Sequence, residues 1–251
     1  MSSDWGTTWG TVRTLIQWEG QCYLATSLMA DGKTLRCAMS GHPNDPQSSN
    51  HNIMAFKIDL ETGGVYPVGS FTSVANVRTG VGLPLTSSSM SYAYNCPVGE
   101  TLNLFDISNC PDYYEIFFAQ KRKNHTNMRY MYLSNKTGVW VAEELCPTGK
   151  IFGFTDAGMY VGSGCFPWDA DGGRCILSRE NAGTWTLEHW RKQTDGKWLF
   201  NVLDKSDLPL IRPHGVKSDT TFNENVCYYR VYRYGSNYDD YYSDLALISV
   251  V

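Results

Sequence analysis

The sequence lacks the apolar runs and the charge excess that mark several large classes of protein. No apolar run is long enough to cross a bilayer as a helix, so no membrane span is predicted. Charged residues make up 18% of the chain and the formal net charge is −4. A dedicated nucleic-acid binder normally carries a basic patch, so no nucleic-acid partner is expected. The N-terminus has no basic segment followed by an apolar one, so no secretory signal is predicted.

Metal and cofactor motifs are also missing. The 8 cysteines include no C-x-x-C pair, and no H-E-x-x-H occurs. The fragment Asp169-Ala-Asp171-Gly-Gly is too short for a calcium loop. We therefore expect no metal and no cofactor, and we interpret most cysteines as small buried apolar residues. The composition indicates no particular oligomeric state.

What the sequence has in abundance is aromatic side chains and turn residues. Aromatics reach 14%, with 16 Tyr, 8 Trp and 23 Gly. Helical periodicity is scarce, whereas short β-rich runs separated by turn residues are frequent, which predicts an all-β sandwich, barrel or propeller. The runs are Cys22–Leu28, Ile53–Leu60, Tyr114–Ala119, Arg129–Leu133, Arg174–Leu177, Trp185–Trp190 and Val226–Tyr232.

An internal repeat favours the propeller. Tyr130–Trp140 and Arg174–Trp185 both contain a strand, Leu-Ser, a polar turn, Gly and Trp, and Phe56–Tyr66 is a looser copy. Their spacing of about 45 residues is what a four-stranded propeller blade needs. At that period the 251 residues supply about five blades. We predict a single domain, residues 1–251, folded as an all-β propeller of four-stranded antiparallel blades, five in number.

The sharpest local motif is Ser2-x-Asp4-x-Gly6-x-Thr8-Trp9. Its Asp accepts turn N–H groups and its Gly supplies unusual dihedrals, so its role is to staple a hairpin. With this motif the chain resembles the Asp-box (BNR-repeat) sialidase-like propellers, most closely the ulvan-lyase-like polysaccharide-processing proteins. Other matching segments are Gly41-His42-Pro43, Tyr160–Gly164, Leu177-Ser178-Arg179-Glu180, Ile211-Arg212-Pro213 and residues 234–241.

The resemblance implies a polysaccharide or glycan partner and an extracellular or virion-surface location. It also implies lyase-like or sialidase-like cleavage of an acidic or deoxy-sugar-containing polysaccharide. A lyase needs a group that neutralises the uronate carboxylate, a base and an acid. A sialidase needs arginines on a carboxylate, a Tyr nucleophile and a Glu partner.

Seven residues are candidates for this chemistry. We expect Tyr114 and Arg129 to lie side by side on one hairpin, and Arg129, Arg179 and Arg212 to bind a carboxylate. Each candidate also has a purely structural interpretation. His42 would be an ordinary loop histidine, Arg129 would contact an aromatic ring across the strands, and Arg179 would form a surface ion pair. The tyrosines near the C-terminus would pack the last strand. The predicted catalytic residues are His42, Tyr114, Arg129 and Tyr160, and the predicted substrate-binding residues are Arg179, Arg212 and Tyr238.

Two further functions stay open from the sequence. One is a non-catalytic glycan-binding or receptor-binding propeller, for example on a phage tail. It is favoured because two histidines that the lyase relatives carry in an early blade have no counterpart here. The other is a propeller that serves only as a protein-interaction scaffold.

Overall fold

The computed structural model describes residues 10–42, 51–125, 127–149, 163–167, 172–216, 224–234 and 241–250. Within these ranges the chain is built from β-strands, and its one helical element is the short 3-10 turn Ser87–Ser89. None of the helical structure described is long and apolar enough to cross a membrane. Tyr160, Tyr238 and the Asp-box residues 2–9 lie outside the described residues.

The first sheet is the largest. Its strands pair antiparallel in chain order, and a sixth strand pairs with the third. They are β1 (Cys22–Leu28), β2 (Thr34–Gly41), β3 (Ile53–Asp59), β4 (Gly64–Pro67), β5 (Ala75–Asn76) and β6 (Ser91–Tyr94).

Three more antiparallel sheets follow, each from one contiguous stretch of chain. Sheet 2 contains β7 (Thr101–Ile107), β8 (Glu115–Lys121), β9 (Met128–Ser134) and β10 (Val141–Pro147). Sheet 3 contains β11 (Gly164–Cys165), β12 (Arg174–Asn181), β13 (Thr184–Lys192) and β14 (Trp198–Ser206). Sheet 4 contains β15 (Leu210–Val216), β16 (Glu224–Tyr234) and β17 (Tyr241–Val250).

Successive sheets stack through their first strands. Strand β7 packs against β1 and β2, β11 packs against β7, and β15 packs against β11 and β12. Antiparallel sheets that follow one another in the chain and adjoin at their first strands form the arrangement of propeller blades. The predicted fold class, an all-β propeller of antiparallel blades, is confirmed. Sheets 2 and 3 have the predicted four strands, whereas the described residues give sheet 1 six strands and sheet 4 three.

The core lies between the sheets. In β8, Ile116 and Phe118 point to the core shared with sheet 1, whereas Phe117 and Ala119 point to the core shared with sheet 3. Because side chains alternate along a strand, a strand covered on both faces has apolar residues at every position. This explains why the run Ile116–Ala119 shows no alternation of apolar and polar residues.

The sequence repeat does not mark equivalent strands. Tyr130–Trp140 covers the third strand of sheet 2 and the turn that follows it, whereas Arg174–Trp185 covers the second strand of sheet 3 and the start of the third. The first strands begin at Cys22, Thr101, Gly164 and Leu210, so the sheets use unequal lengths of chain. The described residues form four sheets, and the five-blade count and the single domain 1–251 stay predictions.

Candidate functional site

The stacked sheets have two distinct ends, and hydrogen bonds between sheets identify them. We call the end where β1, β7, β11 and β15 begin the upper end. There the Tyr94 hydroxyl donates to Gln120 at 2.9 Å, and the Tyr130 hydroxyl donates to the Ser178 carbonyl. At the lower end the Gly173 N–H donates to Glu115 at 2.6 Å. The two ends therefore carry different polar groups.

Three arginines gather at the upper end between sheets 2 and 3. Arg122 in the β8–β9 loop and Arg129 at the start of β9 both donate to Glu144 on β10, Arg122 at 2.8 Å. On sheet 3, Nε of Arg179 donates to both carboxylate oxygens of Glu188 at 3.0 and 2.9 Å. We call Arg122, Arg129, Arg179, Glu144 and Glu188 the arginine cluster.

The thiol of Cys146 shows that the two ion pairs share one neighbourhood. Burial raises the pKa of Cys146 to about 12. The charges of Arg179, Glu188, Glu144 and Arg129 all act on the same thiol. Two of the three arginines predicted to bind a carboxylate are therefore brought together, each already paired with a glutamate of its own sheet.

Glu188 anchors this cluster. Its side chain is buried and also accepts the Thr186 hydroxyl at 2.8 Å and the Trp190 indole N–H at 2.8 Å. A carboxylate is tolerated in a buried strand only when donors surround it. Arg179 is thus held rigidly beside the ring of Trp190, 5.9 Å from its centroid.

An aromatic surface adjoins the cluster. Phe200 on β14 stacks on Trp190 with ring centroids 4.8 Å apart, and Arg179 lies 5.4 Å from the Phe200 ring. Phe200 is 43% exposed, so one face of this stack is open to solvent. Arg122, Glu144, Glu188 and Phe200 were not singled out from the sequence. Glu188, a carboxylate inside an apolar β-run, is the signal that would have found them.

The expected Tyr114–Arg129 pair does not form. Arg129 pairs with Gln120 across β8 and β9, whereas the Tyr114 N–H donates to Asn135 at the opposite end of the same hairpin. Tyr114 is buried at the lower end, where the guanidinium of Arg36 lies 4.2 Å from its ring. Burial raises the pKa of Tyr114. This residue packs in the core between sheets 1 and 2, so its catalytic assignment has no geometric support.

His42 lies at the upper end, directly after β2. The centroid of its ring is 4.8 Å from that of Tyr23, and its backbone N–H donates to the Gln21 carbonyl at 2.8 Å. His51, on the other side of the β2–β3 loop, lies within electrostatic range of His42. Burial lowers the pKa of His51, the hydrogen bond with the Gly41 backbone opposes that shift, and the charge of His42 adds to it. The structure thus gives His42 a second imidazole as neighbour.

Arg212 lies on β15 in the upper half of sheet 4. Its φ is 50°, an unusual value for a residue with a Cβ, within a bulge between Ile211 and His214. The side chain is exposed. The Ser178 hydroxyl next to Arg179 donates to the Leu210 carbonyl, so Arg179 and Arg212 flank one contact between sheets 3 and 4.

Cysteines and acidic residues give no sign of a bound metal in this part of the chain. All 8 cysteines are free thiols, and five of them are buried. Within the ranges that the structure describes, no group of three or more His, Cys, Asp or Glu side chains is arranged to hold a metal ion.

Comparisons with known proteins add little. No family model matches the chain, and no curated protein matches it. Among solved structures the chain is similar to the GH43 endo-arabinanase from Bacillus licheniformis, with 10% identity, a TM-score of 0.25 and 96% of each chain covered. A likeness with so low a TM-score carries no weight, so the fold assignment rests on the sheets themselves.

Proposed function

We propose that this protein binds an acidic polysaccharide at the arginine cluster. The observation that carries the proposal is the excess of guanidinium groups at one end of sheets 2 and 3, beside the exposed ring of Phe200. Arg122 and Arg129 share a single carboxylate, Glu144. Three arginines therefore face two glutamates, and the site favours a further negative charge.

The chemistry of the side chains fits a uronate or a sulfated sugar. Guanidinium groups bind carboxylates and sulfates through paired, directional N–H donors. Arg122 and Arg129 are partly exposed and use few of their donors on Glu144. A partly exposed ion pair contributes about 0–1 kcal/mol, so a ligand displaces Glu144 at little cost. The exposed face of Phe200 offers a surface on which a sugar ring can stack.

Arg212 extends this surface. It is exposed and has no ion-pair or hydrogen-bond partner among the described residues. It lies two residues beyond Leu210, whose carbonyl accepts the hydroxyl of Ser178, the neighbour of Arg179. The predicted substrate-binding roles of Arg179 and Arg212 are therefore kept in the proposal, with Arg129 moved from a catalytic to a binding role.

The proposal is tested with immobilised polygalacturonate, and with dextran as the neutral polymer. The double variant Arg122→Gln, Arg129→Gln should bind polygalacturonate at least about tenfold more weakly, because two charge-assisted contacts are lost. The matched control, Lys33→Gln with Lys197→Gln, removes the same charge from two exposed lysines outside the arginine cluster. Equal binding by both double variants, or equal retention on dextran, would contradict the proposal.

Cleavage is the second candidate, and the pair His42–His51 favours it. Burial lowers the pKa of His51, which favours the neutral imidazole, the form that accepts a proton. Tyr23, in ring contact with His42, supplies a hydroxyl of the kind a lyase uses as acid. A lyase releases an unsaturated product that absorbs in the ultraviolet.

The cleavage test follows that absorbance during incubation with polygalacturonate. His51→Gln should abolish product while polygalacturonate retention stays unchanged. If the unsubstituted protein is retained on polygalacturonate but releases no product, it is a non-catalytic glycan binder. If the protein is not retained on any of a panel of acidic glycans and releases no product from them, the result favours the protein-interaction scaffold.

A further inference from the structure

An apolar cleft lies on the face of sheet 1 that points away from sheet 2, and none of its lining residues belongs to the arginine cluster. Its volume is about 400 Å³, within the range of small-molecule pockets in proteins. Its rim is formed by residues 10–13 and its walls by aliphatic side chains: Leu15, Ile58, Leu60, Val77 and Leu83.

The walls of the cleft are held in place by the backbone. Ile58 and Leu60 lie at the lower end of β3. The opposite wall is tied down because the Gln17 N–H donates to the Leu85 carbonyl at 2.9 Å and the Leu85 N–H donates to the Leu15 carbonyl at 2.8 Å. These two hydrogen bonds fix the segment that carries Leu15 against Leu85.

A cation stands at the rim. Arg13 lines both this cleft and the adjoining cavity of about 240 Å³. Arg13 has no hydrogen bond or ion pair with any of the described residues. It lies flat against Gly80, where an added Cβ would come 2.3 Å from Nη1 of Arg13. The guanidinium is thus positioned at the rim of the cleft, and no described residue accepts a hydrogen bond from it.

The charges around the rim are biased to one sign. Arg78 donates to the Leu60 carbonyl at 2.6 Å and adds a second cation. The nearby carboxylates are engaged elsewhere. Asp59 accepts the N–H groups of its own turn, and Glu61 pairs with Lys33 at 2.8 Å.

We infer that this cleft binds a small amphiphilic carboxylate, with an aliphatic chain between the walls and the carboxylate on Arg13. The chain would remove apolar wall area from water, a gain proportional to the area buried. The carboxylate would accept charge-assisted hydrogen bonds from Arg13, whose donors no described residue uses. The site is independent of the proposed glycan binding, since it lies on another sheet and shares no residue with the arginine cluster.

The experiment uses octanoate as the probe and isothermal titration calorimetry of the full chain. Octanoate should bind saturably at one site per chain. Arg13→Gln should weaken octanoate about tenfold or more, while 1-octanol, which has no charge, should bind the two proteins equally. The matched control Lys205→Gln, an exposed cation on sheet 3, should leave octanoate binding unchanged.

A second variant tests the walls. Val77→Phe should narrow the cleft and weaken both octanoate and 1-octanol. If Val77→Phe does not fold, the exposed Arg13→Gln substitution decides alone. The inference is overturned if octanoate does not saturate, if Arg13→Gln binds it as tightly as the unsubstituted protein does, or if Lys205→Gln loses affinity to the same extent.

Discussion

The two ends of the interface between sheets 2 and 3 use the same kinds of residue in opposite proportions. At the lower end, Glu115 is 1% exposed and accepts the Tyr132 hydroxyl and the Gly173 N–H. Glu143 nearby accepts from Lys192 and from the Trp198 indole. Carboxylates dominate there, and most of their donors are neutral. At the upper end three arginines face two glutamates, and part of the cluster is exposed.

The difference shows that burial decides what a polar group does. A buried carboxylate that is surrounded by donors holds strands together, and removing it leaves those donors without partners. A partly exposed ion pair adds little stability and exchanges its partner readily. The buried carboxylates of the lower end therefore stabilise the fold, whereas the guanidinium groups of the upper end outnumber their glutamate partners.

The largest expected effect comes from Glu188, whose carboxylate is buried at the upper end. Glu188→Ala leaves Arg179 without its carboxylate and the Trp190 N–H without an acceptor, so the free energy of unfolding should fall by about 3–5 kcal/mol. Urea unfolding measures this loss. The half-exposed Glu144→Ala is the control, expected to cost at most about 1 kcal/mol. Equal losses would show that burial does not separate these two glutamates.

At the lower end, Glu115→Ala should cost about 2–3 kcal/mol, because two buried donors lose their acceptor. Tyr132→Phe removes only one donor and should cost about 1 kcal/mol. Urea unfolding measures both. Retention on polygalacturonate should not change in either variant, since the arginine cluster is untouched. If Tyr132→Phe stays folded but is retained less on polygalacturonate, the division of roles between the two ends is wrong.

Asp106 predicts a pH dependence for the lower end. Burial raises the pKa of Asp106 from its ordinary 3.8 to about 6, against the opposing hydrogen bonds from the Phe166 and Ile107 N–H groups. The folded state therefore binds the proton more tightly than the unfolded state. The resulting stabilisation is complete below pH 3.8 and is lost as the pH rises through about 6.

Asp106→Asn removes this titration. Between pH 4 and pH 7 the contribution amounts to on the order of 2 kcal/mol. The free energy of unfolding in urea should therefore fall more between pH 4 and pH 7 in the unsubstituted protein than in Asp106→Asn. All other titrating groups are common to both proteins, so the difference between the two profiles reports on Asp106. Parallel pH profiles for the two proteins would rule out the raised pKa.

Seven of the 17 described strands were predictable, because short apolar runs leave a local signal. The predicted run Cys22–Leu28 coincides with β1, and the other six runs all lie within or largely within strands. Strand β2 was missed because Arg36 and Ser40 interrupt its apolar residues. Both are buried, and Arg36 finds its acceptors in the loop after β7, at 2.9 Å on Pro111. A partner so distant in sequence leaves no local pattern.

The site was less predictable because it depends on register. Spacing suggested that Tyr114 and Arg129 meet, but the hairpin pairs Arg129 with Gln120 and carries Tyr114 to the other end. The partner of Arg129 lies on β10, beyond a bulge between Glu144 and Cys146. Neither the bulge nor the stacking of sheet 3 on sheet 2 can be read from residue spacing. The sequence pointed to Arg129 and Arg179, but it missed Arg122 and both glutamate partners.

The smallest expected effect separates stability from recognition within the upper end itself. Arg122→Gln leaves Glu144 paired with Arg129, so the free energy of unfolding should change by less than about 0.5 kcal/mol, and less still in high salt. Urea unfolding at low and high salt measures the change. Polygalacturonate binding by the same variant should nevertheless weaken, because a guanidinium with unused donors is lost. A stability loss above about 1 kcal/mol would mean that Arg122 is part of the scaffold, as Glu115 is at the lower end.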